Sequence, residues 1–127
     1  MTTNHSSIHL VYLNGDFVPA NEAKISIFDA AVMLGDMVTE STRTFAHQPF
    51  KLDQHIDRLY KSLKVTRINP GMTPAEMTEL SLRVLETNLP KVAPQEDVWL
   101  VHNISRGQSV SGADPTIQRS RATIIIH

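Results

Sequence analysis

The chain has 127 residues, 41% of them hydrophobic, a formal charge of −1 from 12 basic and 13 acidic side chains, and no cysteine. That length supports one domain with its own core, and the composition is that of neither a disordered chain nor a membrane span. Interspersed charge argues against nucleic acid or an anionic membrane as the main partner, and the missing cysteine removes disulfides and thiolate metal sites.

Residues 1–7 are polar and show neither a basic n-region nor an apolar h-region, so a cytoplasmic protein is expected. Residues 9–13 read as a short strand ended by the turn cluster Asn14-Gly15-Asp16. Phe17-Val18-Pro19 returns beside it, with proline marking an edge. Residues 8–45 carry the signals of strands and turns, so residues 25–28 read as a second apolar strand-like piece and residues 37–46 as a longer extended segment after Gly35-Asp36. Residues 52–64 form a helix, because Leu52, Ile56, Leu59, Tyr60 and Leu63 make one apolar stripe. Thr73-Pro74-Ala75-Glu76 opens a second helix with an N-cap, a first-turn proline and a capping-box glutamate. Met77, Leu80, Ser81, Val84 and Leu85 are its buried face, and Asn88-Leu89-Pro90 ends it. Residues 98–104 are a strand apolar on both faces, residues 107–120 a surface loop, and residues 122–126 another apolar β-branched strand. So apolar a strand at the end of the chain reads as a free end, open to pairing with something further.

Three groups of residues carry possible chemistry. Alternation over residues 37–45 puts Thr39, Ser41 and Arg43 on one face, with Val38, Glu40, Thr42 and Thr44 on the other. Two hydroxyls and an arginine can hold a carboxylate or phosphate; the competing reading is a solvated sheet face. On the first helix His55, Arg58 and Ser62 border the apolar stripe. Arg58 there either presents its guanidinium to an anion or pairs with Asp57 or another nearby acid. Arg106, in Ser105-Arg106-Gly107, follows a strand end, where a side chain commonly meets a ligand. The six histidines show no metal-ligand spacing, and neither a glycine-rich phosphate loop nor a serine nucleophile elbow is present.

In order along the chain, Tyr12-Leu13-Asn14-Gly15, Phe17-Val18-Pro19, Asp29, Gly35-Asp36, Glu40, Arg43, Pro49-Phe50-Lys51-Leu52, His55-Ile56-Asp57-Arg58-Leu59 and Ser105-Arg106-Gly107 resemble the class IV (fold-type IV) aminotransferases. That family uses pyridoxal 5'-phosphate and includes branched-chain and D-amino acid aminotransferases and aminodeoxychorismate lyase. The resemblance implies an α+β domain, a mainly antiparallel sheet of about six strands packed by two helices, followed in the family by a larger catalytic domain. It implies that Arg58 holds the cofactor phosphate, that Thr39, Ser41 and Arg43 shape the substrate pocket, and that Arg106 meets a substrate carboxylate. It further implies amino acid and 2-oxo acid substrates and a homo-oligomer.

Departures from the family pattern narrow these implications. Leu34 stands where a tyrosine is frequent, Thr39 where an aromatic is frequent, and Met37 where a glycine is frequent. Branched-chain specificity is therefore not implied. No lysine here, Lys91 included, sits in a motif matching the family's cofactor-bonding lysine. The expectation is one domain over residues 1–127, the N-terminal domain of such an enzyme. By itself it should bind no cofactor and not turn over. A lyase of the same family, or a self-associating domain without catalysis, are the competing expectations.

Overall fold

The structure, a computed structural model, describes residues 8–108, 114 and 117–127. Six strands form one sheet in the order β2-β1-β6-β5-β3-β4, each antiparallel to its neighbours. They are β1 (Leu10–Leu13), β2 (Asp16–Pro19), β3 (Met37–Phe45), β4 (Gln48–Pro49), β5 (Trp99–Ser105) and β6 (Thr123–Ile126). Two 15-residue helices, α2 (Leu52–Thr66) and α3 (Pro74–Asn88), supply the core that covers one face. A five-residue helix, α1 (Ala30–Leu34), precedes β3 and was not expected. The α+β class, the six strands and the two long helices agree with the sequence reading.

Local chemistry accounts for the elements. Asn14 and Gly15, at φ 49° and 104°, make the β1–β2 hairpin turn, where glycine carries the second positive φ without a Cβ clash. On α2 the buried residues are Leu52, Ile56, Leu59 and Leu63, the stripe its spacing predicts. α3 begins with a complete capping box: Thr73 Oγ1 accepts from the Glu76 amide, and Glu76 Oε1 accepts from the Thr73 amide. In β3 the buried residues alternate as Val38, Glu40, Thr42 and Thr44. The helix-covered core joins these stripes to Leu100, Ile104, Ile124 and Ile126. Among the described residues no helix is long and apolar enough to cross a membrane.

Two expectations are corrected. The apolar run near residue 126 is not a free end: β6 lies inside the sheet, with Ile126 opposite both Tyr12 of β1 and His102 of β5. Its apolar character reflects that central position. Residues 25–28 form no strand, and Ile25, Ile27 and Phe28 are exposed. β5 is also less symmetric than its sequence suggests, since Leu100, His102 and Ile104 are buried while Trp99 is exposed. The surface loop expected over residues 107–120 lies partly outside the described residues.

Candidate functional site

Glu40 is the node of the site. It is buried on the helix side of β3, yet its carboxylate meets two side chains of α2. Arg58 Nε donates to Oε2 at 3.0 Å and Nη2 to Oε1 at 2.5 Å, while His55 Nδ1 lies 2.8 Å from Oε1. His55 and Arg58 are neighbours because they stand three residues apart on one helix face. Burial works against ionisation of Glu40, but the hydrogen bonds and charges of Arg58 and His55 outweigh it and hold the carboxyl below its usual range. The same pairing raises the Arg58 pKa. The pairing with an acid foreseen for Arg58 is thus present, with Glu40 rather than Asp57, which pairs with Lys61.

Arg58 is nevertheless 68% exposed. Its Nε and Nη2 are taken by Glu40, and among the described residues Nη1 has no protein partner. β4 pairs only with Thr44 and Phe45, so the rest of β3 forms an open sheet edge on the α2 side. The structure therefore presents at this edge an exposed guanidinium whose plane is fixed by a buried carboxylate. Such a group can grip an oxyanion with little further loss of side-chain freedom.

Thr39, Ser41 and Arg43 share the opposite face of β3, as alternation predicts. Thr39 Oγ1 donates across the sheet to Asn103 Oδ1 at 3.0 Å, and Asn103 Nδ2 continues to His127 Nε2 at 3.1 Å. Arg43 lies over the Phe45 ring, 4.3 Å from its centroid, and Phe45 meets Phe50 edge-on. Arg58 and this strip flank the same strand from its two faces and share no direct contact. Asn103, His127, Trp99 and Glu40 escaped the sequence reading as site residues. The alternation that placed Thr39 could have placed Asn103 once the β3–β5 register was known.

Arg106 sits elsewhere. It is buried, and its Nε and Nη2 grip Asp36 at 2.6 and 3.2 Å. Nη2 and Nη1 also donate to the carbonyls of Thr66 and Arg67 at 2.7 and 3.0 Å, capping the C-terminal end of α2. It is not on the exposed face with Thr39, Ser41 and Arg43. Beside it Asp29, also buried, caps α1 through the Ala31 amide and accepts from the hydroxyls of Ser105 and Thr123 at 2.6 and 2.5 Å. The conspicuous Asp29, Gly35-Asp36 and Ser105-Arg106-Gly107 thus form one polar clamp beneath the start of β3.

No protein-family model matches the chain. A protein of Methanocaldococcus jannaschii provisionally named as a branched-chain-amino-acid aminotransferase is 37% identical over 105 residues, 83% of this chain and 35% of that protein. The aminodeoxychorismate lyase of Bacillus subtilis is 33% identical over 79 residues, 62% of this chain and 27% of the lyase. Among solved structures, a T.th. branched-chain amino acid aminotransferase complexed with N-(5'-phosphopyridoxyl)-L-glutamate superposes with a TM-score of 0.78 at 28% identity. That match covers 94% of this chain and 39% of that one. The chain spans about a third of the length of the first of these relatives.

Proposed function

The chain is a relative of the N-terminal part of the class IV, fold-type IV aminotransferases, and on that premise we propose that it anchors the phosphate of pyridoxal 5'-phosphate and forms one wall of an amino acid and 2-oxo acid pocket. When bound, that cofactor supplies the electron sink for moving an amino group between an amino acid or amine and a 2-oxo acid. The single observation that carries the reading is the Arg58 guanidinium locked by Glu40 at an exposed edge, with Nη1 left over. That donor set fits a phosphate: the N–H groups of Nη1 would be available to its oxygens.

Glu40 keeps Arg58 oriented, and His55 shares Oε1 of the same carboxylate with Arg58 Nη2. On the other face Ser41 offers a small hydroxyl and Arg43 a cation for a substrate carboxylate, while Thr39, its hydroxyl held by Asn103, shapes the wall beside them. Arg106 acts as a positioning residue, since its guanidinium joins Asp36 at the entrance of β3 to the end of α2. Transamination needs the remaining part of the relatives, which this chain does not span, for the cofactor-bonding lysine. The chain alone is therefore inactive in this reading.

A chimaera in which this chain replaces the matching third of the Methanocaldococcus relative tests the assignment. Pyridoxal phosphate should bind the folded chimaera and support transamination, and Arg58→Gln should weaken cofactor binding at least about tenfold. An Arg58→Gln chimaera with unchanged cofactor affinity overturns the phosphate assignment. The similarity to the Bacillus lyase keeps a second reading, lyase chemistry on the same cofactor, and product analysis of the chimaera's reaction with aminodeoxychorismate decides it.

A further inference from the structure

At the C-terminal end of α2, the β1–β2 turn, the α2–α3 connection and the segment leading into β6 enclose a cleft of about 1150 Å³. Its lining includes Arg67, Arg119 and Arg121 and, among the described residues, no aspartate or glutamate. The chain as a whole has 13 acidic residues against 12 basic ones, so this concentration of one sign is local. Among the described residues none of the three arginines is in an ion pair.

The backbone that carries them is pinned. Gln118 clasps Asn69 from both sides: Oε1 accepts from the Asn69 amide at 2.8 Å, and Nε2 donates to the Asn69 carbonyl at 3.0 Å. Across the cleft the Asn14 backbone amide donates to the Ile124 carbonyl at 3.0 Å, and Asn14 Oδ1 accepts from the Ile124 amide at 2.7 Å. Arg67 is the left-handed C-cap of α2, and its carbonyl is held by Arg106. Arg121 sits tightly against Gly107, where an added Cβ would lie 2.2 Å from the Arg121 carbonyl oxygen. The floor is partly apolar, with Tyr12, Met72 and Ile124.

Like charges held on a concave wall repel one another and focus a positive potential, and a bound polyanion relieves that repulsion. Guanidinium forks match phosphate oxygens, and an aromatic and aliphatic floor accepts an organic body. We propose that this cleft binds a polyphosphorylated small molecule of the nucleoside di- or triphosphate class, through Arg67, Arg119 and Arg121. The site is separate from Arg58, which lies nine positions earlier on the same helix, about 13 Å along its axis. The inference does not rest on the role proposed for Arg58.

Calorimetric titration of the chain with ADP at low salt is the test. Saturable binding should be weakened at least about tenfold in the double variant Arg119→Gln/Arg121→Gln. It should be unchanged in Lys61→Gln, which removes a surface charge outside the cleft. Pyrophosphate should compete and adenosine should not. The unliganded double variant should keep its thermal midpoint, because both arginines are exposed. Four outcomes each overturn the proposal. They are no saturable binding, binding undiminished in Arg119→Gln/Arg121→Gln, an equal loss in Lys61→Gln, or adenosine binding as tightly as ADP.

Discussion

His102 has no exposed surface, and it stands across from Glu40 in the β3–β5 ladder. Ser81 Oγ donates to the Met77 carbonyl at 2.7 Å, so it accepts the proton that His102 Nε2 carries, also at 2.7 Å. Burial pushes the imidazole pKa from 6.5 down to about 4, outweighing the nearby Glu40 charge, which works the other way. An unfolded histidine takes up its proton near 6.5, whereas the folded one does so only near 4. Stability is therefore complete above the upper value and falls as pH descends towards the lower one, by about 3 kcal/mol. His127, also lowered by burial, adds a loss of the same sign. Glu40, held below 4.5, contributes its own loss at lower pH, as its carboxylate protonates. Urea unfolding at about pH 7.5 and about pH 5 should show the decline, and His102→Leu should remove most of it. A wild-type midpoint that stays flat over that window contradicts the assignment.

At the level of elements, Arg106 is the bolt between the entrance of β3 and the exit of α2. Arg106→Ala leaves Asp36 and two helix-end carbonyls without their donor in a site where the arginine is buried, and should cost about 3 kcal/mol in denaturant unfolding. A variant as stable as the parent would mean that the clamp is incidental and would return Arg106 to a ligand-binding part. Nothing in Ser105-Arg106-Gly107 distinguishes a clamp from a ligand site, because Asp36 is 70 residues away in the chain. Where a signal is local it was legible. The α2 stripe, the capping box at Thr73 and the alternation in β3 are each complete within a few turns or one strand. α1 was missed because five residues make little more than one helical turn, too few for an apolar stripe to recur. β6 was misjudged because its partners β1 and β5 lie far off in sequence, and an apolar run says nothing about which strands flank it. The Glu40–Arg58 pair, 18 residues apart, falls between these cases: Arg58 was singled out as a site residue and Glu40 only as part of the family pattern, and only the packing of α2 on β3 joins them.

Across the whole molecule, the sheet has one covered face and one open face. α2 and α3 take the first; the second bears Trp99 at 63% exposure with Met37 and Phe45 of β3, and Phe50 lies against Phe45. Val32, Met33 and Leu34 of α1 are exposed as well. Apolar surface on this scale marks a docking surface more often than a bare monomer. Because β6 is interior, its edge is not available for pairing; β2 and β4 are short and end in proline at Pro19 and Pro49, and the open stretch of β3 carries the charge of Arg58 beside it, which blunts pairing there. Association through the face is favoured over association through an edge. Trp99 is the only tryptophan, so its fluorescence reports the state of that face alone. Dilute chain should show the red-shifted emission of a hydrated indole. Concentrating it should move the emission to the blue as the mass by light scattering rises, and Trp99→Thr/Phe45→Thr should hold the protein as a monomer. Scattering that stays monomeric at micromolar concentration, with Trp99 emission unchanged, would leave the face to the part of the relatives that this chain does not span. Assembly that survives the double substitution would instead place the contact at an edge.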